Sequence, residues 1–379
     1  PGKISGCWRI SKMRCDSAFK DPKDAELILE KLSGLTRAAG SVRLMEVCGT
    51  HTMSIARTGL KSLLPPEISL LSGPGCPVCV TPAGAMDAIF SLAEDPRILI
   101  ASYGDLLRVP GTRRGNSLFS LKATGARVES VYSPVDALQL AAAHPELEVV
   151  FLGVGFETTA PGTAACILEA ASRNLSNFSV LCLLKRTEPA LRSLIEADDF
   201  NVNGFLCPGH VATVIGADAF SFLPKDYGLP AVIGGFEAAD LLYSVADLMR
   251  MLAKGSPALK NEYVRAVRPE GNPAAVRLMD RVFSPCDACW RGLGTVSGGG
   301  FSIREEFASW DAARKFGFSF ADGAEPPGCR CAQVIRGVTA PADCALFGKV
   351  CTPQDPVGPC MVSSEGACAA AYRYQQIPL

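Results

Sequence analysis

The feature that most constrains the fold is an alternation of short apolar segments and helix-like segments. It begins near residue 43. Strands are expected near Leu44–Val47, Ile68–Leu71, Ile98–Ala101, Val128–Tyr132, Val149–Gly153, Val180–Leu184, Gly204–Leu206 and Ala231–Ile233. Helices are expected at Ala83–Ala93, Pro134–Ala143, Thr163–Arg173, Glu188–Ala197 and Glu237–Lys254. This alternation predicts parallel sheets with right-handed crossovers. We expect two sheets of four strands, with a break near Ser133–Glu148, rather than one sheet of eight.

The segments on either side of this α/β region differ from it. Asp21-Pro22 supplies an N-cap and a proline at the first helical position, and Gly40 supplies a stop, so one N-terminal helix is predicted. Beyond about Gly255 the chain is irregular and rich in proline and glycine, with a turn expected at Ser297-Gly-Gly-Gly300.

The composition is unusual in cysteine. The 379 residues include 16 cysteines but three histidines, and eight of the cysteines lie between Cys286 and Cys368. No signal peptide is recognised, so we expect a cytoplasmic protein, in which clustered cysteines indicate metal or redox chemistry rather than disulfides. The region after 255 is therefore expected to be organised by a metal centre.

Charge and hydropathy exclude two classes of protein. Lys and Arg number 37 against 38 Asp and Glu, a net charge of −1, which argues against nucleic-acid binding. The strongest apolar run, Val149–Phe156, has eight residues, which fits a buried strand and is too short to span a membrane.

The residues suited to chemistry fall directly after the predicted strands. These motifs are Cys48-Gly-Thr-His51, Gly73-Pro-Gly-Cys-Pro-Val-Cys79, Tyr103-Gly-Asp105, Gly155-Phe-Glu-Thr-Thr159, Cys207-Pro-Gly-His210 and Gly234-Gly-Phe-Glu237. Ligands bind at the carboxyl ends of parallel strands, where loops converge and helices begin. The pattern favours one shared site over scattered loop residues.

Cys48 and His51 are three residues apart, and both are ligand types suited to iron, zinc or copper. A cysteine beside a helix start is expected to have a lowered pKa. The alternative is a buried thiol with a hydrogen-bonded loop histidine.

Two CxxC motifs are present. Cys76 and Cys79 follow a strand, a pattern typical of redox dithiols and of half a zinc site. No second CxxC with zinc-like spacing lies nearby, so we favour the redox interpretation. For Cys286 and Cys289 the choice is between metal binding and simple packing.

The C-terminal cysteines are too widely spaced for a zinc ribbon, which uses paired CxxC knuckles. An iron–sulfur cluster accepts wider spacing, because each iron needs one protein sulfur. Six candidates compete for four positions, and spacing alone does not choose among Cys329, Cys331, Cys344, Cys351, Cys360 and Cys368.

Taken together, the motifs resemble the HypD family of [NiFe]-hydrogenase maturation proteins. The resemblance runs from about residue 20 to the end of the chain. It rests on the Cys48, Cys76–Cys79, Glu157, His210 and Glu237 motifs and on the tail segments Asp343-Cys-Ala-Leu-Phe-Gly-Lys-Val-Cys-Thr-Pro353 and Met361-Val-Ser-Ser-Glu-Gly-Ala-Cys368. Ala332 stands where the family pattern leads us to expect glycine.

The resemblance implies a fold of two Rossmann-like α/β domains and a C-terminal [4Fe-4S] cluster domain that also packs the N-terminal helix. The corresponding divisions are residues 1–40 for the helix, 41–140 and 141–254 for the α/β domains, and 255–379 for the cluster domain.

The resemblance also implies ligands and partners. The family's cluster cysteines, separated by 14, 6 and 16 residues, match Cys329, Cys344, Cys351 and Cys368. Its iron-holding cysteine matches Cys48. With the small chaperone HypC, such a protein is a scaffold for the Fe(CN)2CO group, and HypE supplies cyanide.

The roles of the remaining site residues follow from that scheme. His51 ligates the iron or steers protons, and Cys76–Cys79 is the redox pair. Glu157, His210 and Glu237 orient the partner or move protons. The chain is then a redox-active assembly scaffold rather than a conventional turnover enzyme.

Two other functions are kept open. One is a stand-alone thiol–disulfide oxidoreductase in which a cluster reduces Cys76–Cys79. The other is a zinc-stabilised binding module without a redox role.

Overall fold

The computed structural model describes residues 22–318 and 323–374. In these ranges the helices are α1 (Pro22–Ala39), α2 (Gly49–Thr58), α3 (Leu60–Leu63), α4 (Pro77–Val80), α5 (Ala83–Ala93), α6 (Leu118–Ala123), α7 (Pro134–Ala143), α8 (Ala160–Ser172), α9 (Thr187–Ile195), α10 (Gly209–Ile215), α11 (Phe222–Tyr227), α12 (Ala238–Lys254), α13 (Pro273–Val282), α14 (Ala312–Phe316), α15 (Cys331–Ile335) and α16 (Ala367–Tyr374). The strands there are β1 (Val42–Glu46), β2 (Ile68–Ser72), β3 (Ile98–Ser102), β4 (Arg127–Ser130), β5 (Glu148–Gly155), β6 (Phe178–Leu184), β7 (Gly204–Pro208), β8 (Ala231–Gly234), β9 (Leu259–Asn261), β10 (Phe283–Trp290) and β11 (Gly294–Ile303).

Two parallel sheets form the α/β part of the described chain. Sheet A has the strand order β2-β1-β7-β8-β9, and sheet B has the order β4-β3-β5-β6. In sheet A the order reverses between β1 and β7, and in sheet B it reverses between β3 and β5. Such switch points open a crevice at the carboxyl edge, where ligands bind in open parallel sheets.

The eight predicted strands and their parallel arrangement are confirmed, but the predicted division into four and four at Ser133–Glu148 is wrong. The chain starts sheet A with β1 and β2, builds all of sheet B, and then returns to sheet A with β7, β8 and β9. The apolar pattern reports which residues are buried, whereas it does not report which strand lies beside which.

The core explains why β5 is apolar along its whole length. Val150 and Leu152 point into one core cluster and Val149 and Phe151 into another, because successive side chains of a strand face opposite sides. The first of these clusters also contains Phe205 of sheet A, so the two sheets share a core.

Helix α1 ends at Gly40 as expected, with Gly40 in the left-handed region at φ 72°. The proposed N-cap Asp21 lies outside the described residues. Ile28 and Leu32 are buried against Leu242 and Val245 of α12. The apolar stripe of α1 is therefore covered by α12, and the packing of residues 1–40 on the C-terminal region stays a prediction.

The C-terminal region is less irregular than expected. Strands β10 and β11 form an antiparallel hairpin, and the glycine run 297–300, predicted to be a turn, lies within β11. A bridge between Lys185 and Gly300 joins this hairpin to the end of β6. Helix α16 packs on α2, which follows Cys48.

Candidate functional site

Cys48 lies at the switch point of sheet A, between the end of β1 and the start of α2. It is the N-cap residue of α2 and is 7% exposed. Its backbone N–H donates to the carboxylate of Glu46 (3.2 Å). Thr52, one turn into α2, donates its hydroxyl to the same carboxylate.

Glu46 was not selected from the sequence. It ends a buried strand and is 2% exposed. Burial raises its pKa to about 7, although the hydrogen bonds from Thr52 and Ser72 favour the charged carboxylate and lower the pKa. Its signal in the sequence was an acidic residue at the end of an apolar strand, two positions before Cys48.

The expected lowering of the Cys48 pKa is wrong. Burial raises the pKa of this thiol to about 12, and the N–H groups of His51 and Thr50 offset only part of that. Loss of solvation outweighs the helix terminus because the sulfur is fully enclosed. Cys48 is therefore a neutral thiol until a cation binds it.

His51 is fully buried and neutral. Its Nε2 lies 2.9 Å from the carbonyl oxygen of Gly235, so Nε2 carries the hydrogen and donates it. Burial lowers the pKa of His51 to about 4. Nδ1 is buried and has no hydrogen-bond partner, which leaves its lone pair available.

His210 and Glu237 lie at the same edge of sheet A but at the surface. The ring of Phe236 is stacked on His210, with centroids 3.9 Å apart, and lies 4.9 Å from the ring of His51. Partial burial lowers the pKa of His210. These residues form an exposed surface that the ring of Phe236 connects with the buried ring of His51.

Cys76 and Cys79 are joined by a disulfide, with Cα atoms 5.2 Å apart across the first turn of α4. The loop that carries them touches the Cys48 loop directly. Gly49 donates its N–H to the carbonyl of Gly75 (2.9 Å), and a Cβ on Gly75 would lie 2.1 Å from the nitrogen of Cys48. The predicted association of Cys48 with the CxxC loop is thus present in the fold.

Glu157 belongs to sheet B and has a different environment. Both of its carboxylate oxygens accept hydrogen bonds from Thr187, one from the backbone N–H and one from the hydroxyl, each at 2.7 Å. Burial raises its pKa. The contacts hold the start of α9 and are not made with the Cys48 loop.

All six C-terminal cysteines line one pocket. They share it with apolar side chains, among them Leu346, Phe347 and Met361. Cys351 and Met361 are buried, and Tyr372 of α16 packs against them. The tertiary fold therefore gathers cysteines that are spread over about forty residues.

Within this group, Cys331 and Cys360 are in contact, and Cys360 also interacts with Cys368. Their sulfur atoms are 2.7 Å apart and both side chains are buried. The hydrogen bond with Cys360 and the charge of Arg291 lower the pKa of Cys331. Helix α15 and the turn Pro359–Met361, which carry the two cysteines, both pack against α4. The two segments that carry this pair therefore connect the pocket with the helix of the Cys76–Cys79 disulfide.

The segment between Cys360 and Cys368 ties the pocket to both sheets. Thr50 donates its hydroxyl to Glu365 (2.6 Å), and a Cβ on Gly49 would lie 2.4 Å from the Cβ of Glu365. Ser363 donates to Asp105 (3.0 Å), in the loop after β3 of sheet B.

The second CxxC has a different geometry. Cys286 and Cys289 lie in strand β10, with a register shift between Cys286 and Ala288. Both interact electrostatically with the buried amine of Lys185, and burial lowers the pKa of that amine. Both cysteines lie in the hairpin and do not line the six-cysteine pocket.

Comparison with known proteins finds relatives that match nearly the whole chain, including all of the motifs described above. The HypD family model, described as the Hydrogenase formation hypA family, matches residues 23–375. The hydrogenase maturation factor HypD of Azotobacter vinelandii is 43% identical over 96% of this chain and 97% of its own length. The proteins of the same name from Rhizobium leguminosarum bv. viciae and Escherichia coli K12 are each 41% identical, over 96% of this chain and 96% and 99% of their own lengths.

The chain belongs to the HypD family of hydrogenase maturation factors. The resemblance stated from the motifs is confirmed. A stand-alone thiol–disulfide oxidoreductase is not favoured by this membership.

The donor set of the pocket fits the cluster that HypD membership leads us to expect. Among the described residues, no three or more His, Cys, Asp or Glu side chains are placed to hold a single metal ion. A [4Fe-4S] cluster makes a different demand, since each of its irons takes one thiolate and the cysteines need only surround it. Six thiols around an apolar pocket meet that demand, and Cys329, Cys344, Cys351 and Cys368 stay the predicted ligands.

In the part of the chain that the structure describes, no helix is both long enough and apolar enough to cross a membrane.

Proposed function

We propose that this chain is the scaffold on which, together with HypC, the Fe(CN)2CO group of a [NiFe]-hydrogenase is built, with HypE as the cyanide donor. The observation that carries the proposal is the contact between the Cys48 loop and the disulfide loop, through Gly75 and Gly49. It puts a buried thiol suited to iron beside a two-electron redox group. We place this activity in the cytoplasm.

In this proposal Cys48 holds the iron of the substrate group. Its thiol is neutral because it is buried, so iron binding must release its proton. His51, one turn of α2 away, has a buried lone pair on Nδ1 that accepts this proton or ligates the iron. Nε2 is held by the carbonyl of Gly235, which sets the tautomer that leaves Nδ1 free.

The exposed side chains at this edge then meet the partner. His210 and Glu237 are accessible, and Phe236 connects them with His51. We propose that HypC covers this edge and brings a further ligand to the iron.

Electrons reach the Cys48 site through sulfur. When bound in the six-cysteine pocket, a [4Fe-4S] cluster would supply single electrons. Cys331 and Cys360, in contact with each other and packed beside α4, then exchange with the disulfide. Two thiols become a disulfide while Cys76–Cys79 becomes two thiols, so two electrons and two protons are transferred.

Cys48→Ala tests the proposal. The variant and Cys166→Ala, a buried thiol of α8 that serves as the matched control, are purified with HypC under anaerobic conditions. We expect the infrared bands of cyanide and carbonyl to be lost in Cys48→Ala and kept in the control. Bands of wild-type strength in Cys48→Ala would show that Cys48 does not hold the iron.

A further inference from the structure

A proline-rich segment, residues 352–358, lies between Cys351 and Cys360 of the pocket, and we call it the strap. Its sequence is Thr-Pro-Gln-Asp-Pro-Val-Gly, and each proline fixes one backbone φ angle, which limits the conformations of the segment. The N–H of Asp355 donates to the hydroxyl of Thr352 (3.2 Å), and the N–H of Thr352 donates to the carbonyl of Asp355 (3.3 Å). The strap is therefore a closed turn.

The inner end of the strap contacts the sulfur atoms of two predicted cluster ligands. The backbone N–H of Val357 donates to Sγ of Cys351 (3.3 Å). A Cβ on Gly358 would lie 2.7 Å from Sγ of Cys329, so only glycine lets the backbone approach that sulfur so closely. Val357 and Gly358 are both buried, which keeps water away from this donor.

The outer end of the strap is held by the loop after β3 of sheet B. Nη2 of Arg108 donates to the carbonyl oxygens of Pro353 (2.5 Å) and Gln354 (3.2 Å). Arg114, in the same loop, pairs with Asp355 (2.5 Å). Because one exposed ion pair stabilises little, we assign the main anchor to Arg108, which binds two successive carbonyls.

A hydrogen bond to a ligand sulfur changes the reduction potential of an iron–sulfur cluster. Reduction adds one negative charge to the cluster and its thiolates, and an N–H that points at a thiolate stabilises that charge. Such a donor therefore raises the potential, and its loss lowers the potential.

We propose that the strap sets the reduction potential of the predicted [4Fe-4S] site, with the Val357 N–H as the donor to the Cys351 sulfur and Arg108 as the positioning residue of that donor. This inference rests on the cluster that the proposed function includes. In the reaction concerned, the cluster takes up one electron from an external low-potential reductant, and no bond forms or breaks.

The first test removes the donor. Wild type, Val357→Pro and Val357→Ala are purified anaerobically as full chains and titrated with dithionite, and the reduced cluster is followed by electron paramagnetic resonance. Proline has no N–H, so Val357→Pro should disfavour the reduced form about tenfold, which equals about 59 mV toward more negative potential for one electron. Val357→Ala keeps the N–H and should shift the potential by less than half as much.

The second test releases the strap without changing it. We expect Arg108→Gln to speed hydrogen exchange of the strap amides about tenfold and to lower the potential in the same direction as Val357→Pro. Arg113→Gln is the matched control. Arg113 is exposed in the same loop, whereas the contacts with the strap described above belong to Arg108 and Arg114. Exchange and potential should both stay at wild-type values in the control.

Iron and sulfide analysis of each sample separates this inference from the proposed function. A wild-type chain that lacks about four irons and four sulfides would refute the cluster, and the inference with it. With a loaded wild type, an unchanged potential in Val357→Pro or equal shifts in the Pro and Ala variants would overturn the inference alone. If Val357→Pro takes up no cluster, Arg108→Gln decides, and wild-type exchange and potential in that variant would overturn the inference.

Discussion

Gly75 determines how closely the disulfide loop approaches Cys48. Any side chain at Gly75 would meet the backbone of Val47 and Cys48 at less than 2.5 Å, and backbone cannot move aside as a flexible side chain does. We expect Gly75→Ala to lower the free energy of unfolding by about 2–3 kcal/mol.

Gly34→Ala is the matched control. Gly34 lies inside α1 with nothing within 4 Å of its Cβ position, so alanine there should stabilise by about 1 kcal/mol. Denaturant unfolding of both variants checks the pair. Equal effects of the two substitutions would contradict the close contact.

Glu46 and His51 make stability depend on pH in opposite directions. The pKa of Glu46 rises from 4.5 to about 7 on folding, so the folded chain binds the proton more tightly, and stability falls as pH rises from 4.5 through 7. The pKa of His51 falls from 6.5 to about 4, so stability falls as pH drops from 6.5 through 4. In iron-free protein these effects largely cancel between pH 5 and 6.5.

Glu46→Gln separates the two effects. The substitution removes the carboxyl group whose ionisation destabilises the folded chain as pH rises. Relative to wild type, the variant should therefore gain stability from pH 5 to 7, by up to about 3 kcal/mol. Urea unfolding across this range measures the difference. A constant difference between variant and wild type at all pH values would show that Glu46 does not titrate there.

The same CxxC spacing gives two different distances between the cysteines, depending on whether a helix or a strand carries it. In α4 one turn of helix brings the Cα atoms of Cys76 and Cys79 to 5.2 Å, within disulfide range. In β10 a rise of about 3.3 Å per residue separates the ends of a CxxC by about 10 Å, which is beyond that range.

We therefore expect one of the two motifs to close. After equilibration with oxidised glutathione and alkylation, peptide mass spectrometry should find Cys76 and Cys79 linked to each other. Cys286 and Cys289 should be alkylated or joined to glutathione. A Cys286–Cys289 bond in the folded protein would refute the strand geometry.

At the scale of the whole molecule, the segment Ser363–Glu365 connects parts that are far apart in sequence. It contacts Thr50 of α2, which follows β1 of sheet A, and Asp105 in the loop after β3 of sheet B, and it lies between two cysteines of the pocket. We expect Glu365→Ala to speed hydrogen exchange about tenfold in the loop 48–52, because one charge-assisted hydrogen bond and the packing on Gly49 are lost.

Asp355→Ala is the comparison variant for this measurement. Asp355 pairs with Arg114 at the surface, away from the Cys48 loop. Exchange in 48–52 should not change in that variant. Unchanged exchange in Glu365→Ala would show that the segment does not support the Cys48 loop.

The strands, most helices and the residues after each strand were predictable from the sequence because they depend on local patterns. The apolar pattern marked β1 to β8, and the helix predicted at Pro134–Ala143 has the bounds of α7. The site motifs were found for the same reason, since Cys48 and Cys76 directly follow apolar strands.

Tertiary structure alone decided what no local pattern encodes. The insertion of sheet B between β2 and β7, the packing of α1 on α12, the raised pKa of Cys48 and the contact of Cys331 with Cys360 all depend on neighbours distant in sequence. A periodic pattern shows that a side chain is buried, and the free energy of a buried thiol or carboxylate depends on which groups surround it. Only the folded chain brings those groups together.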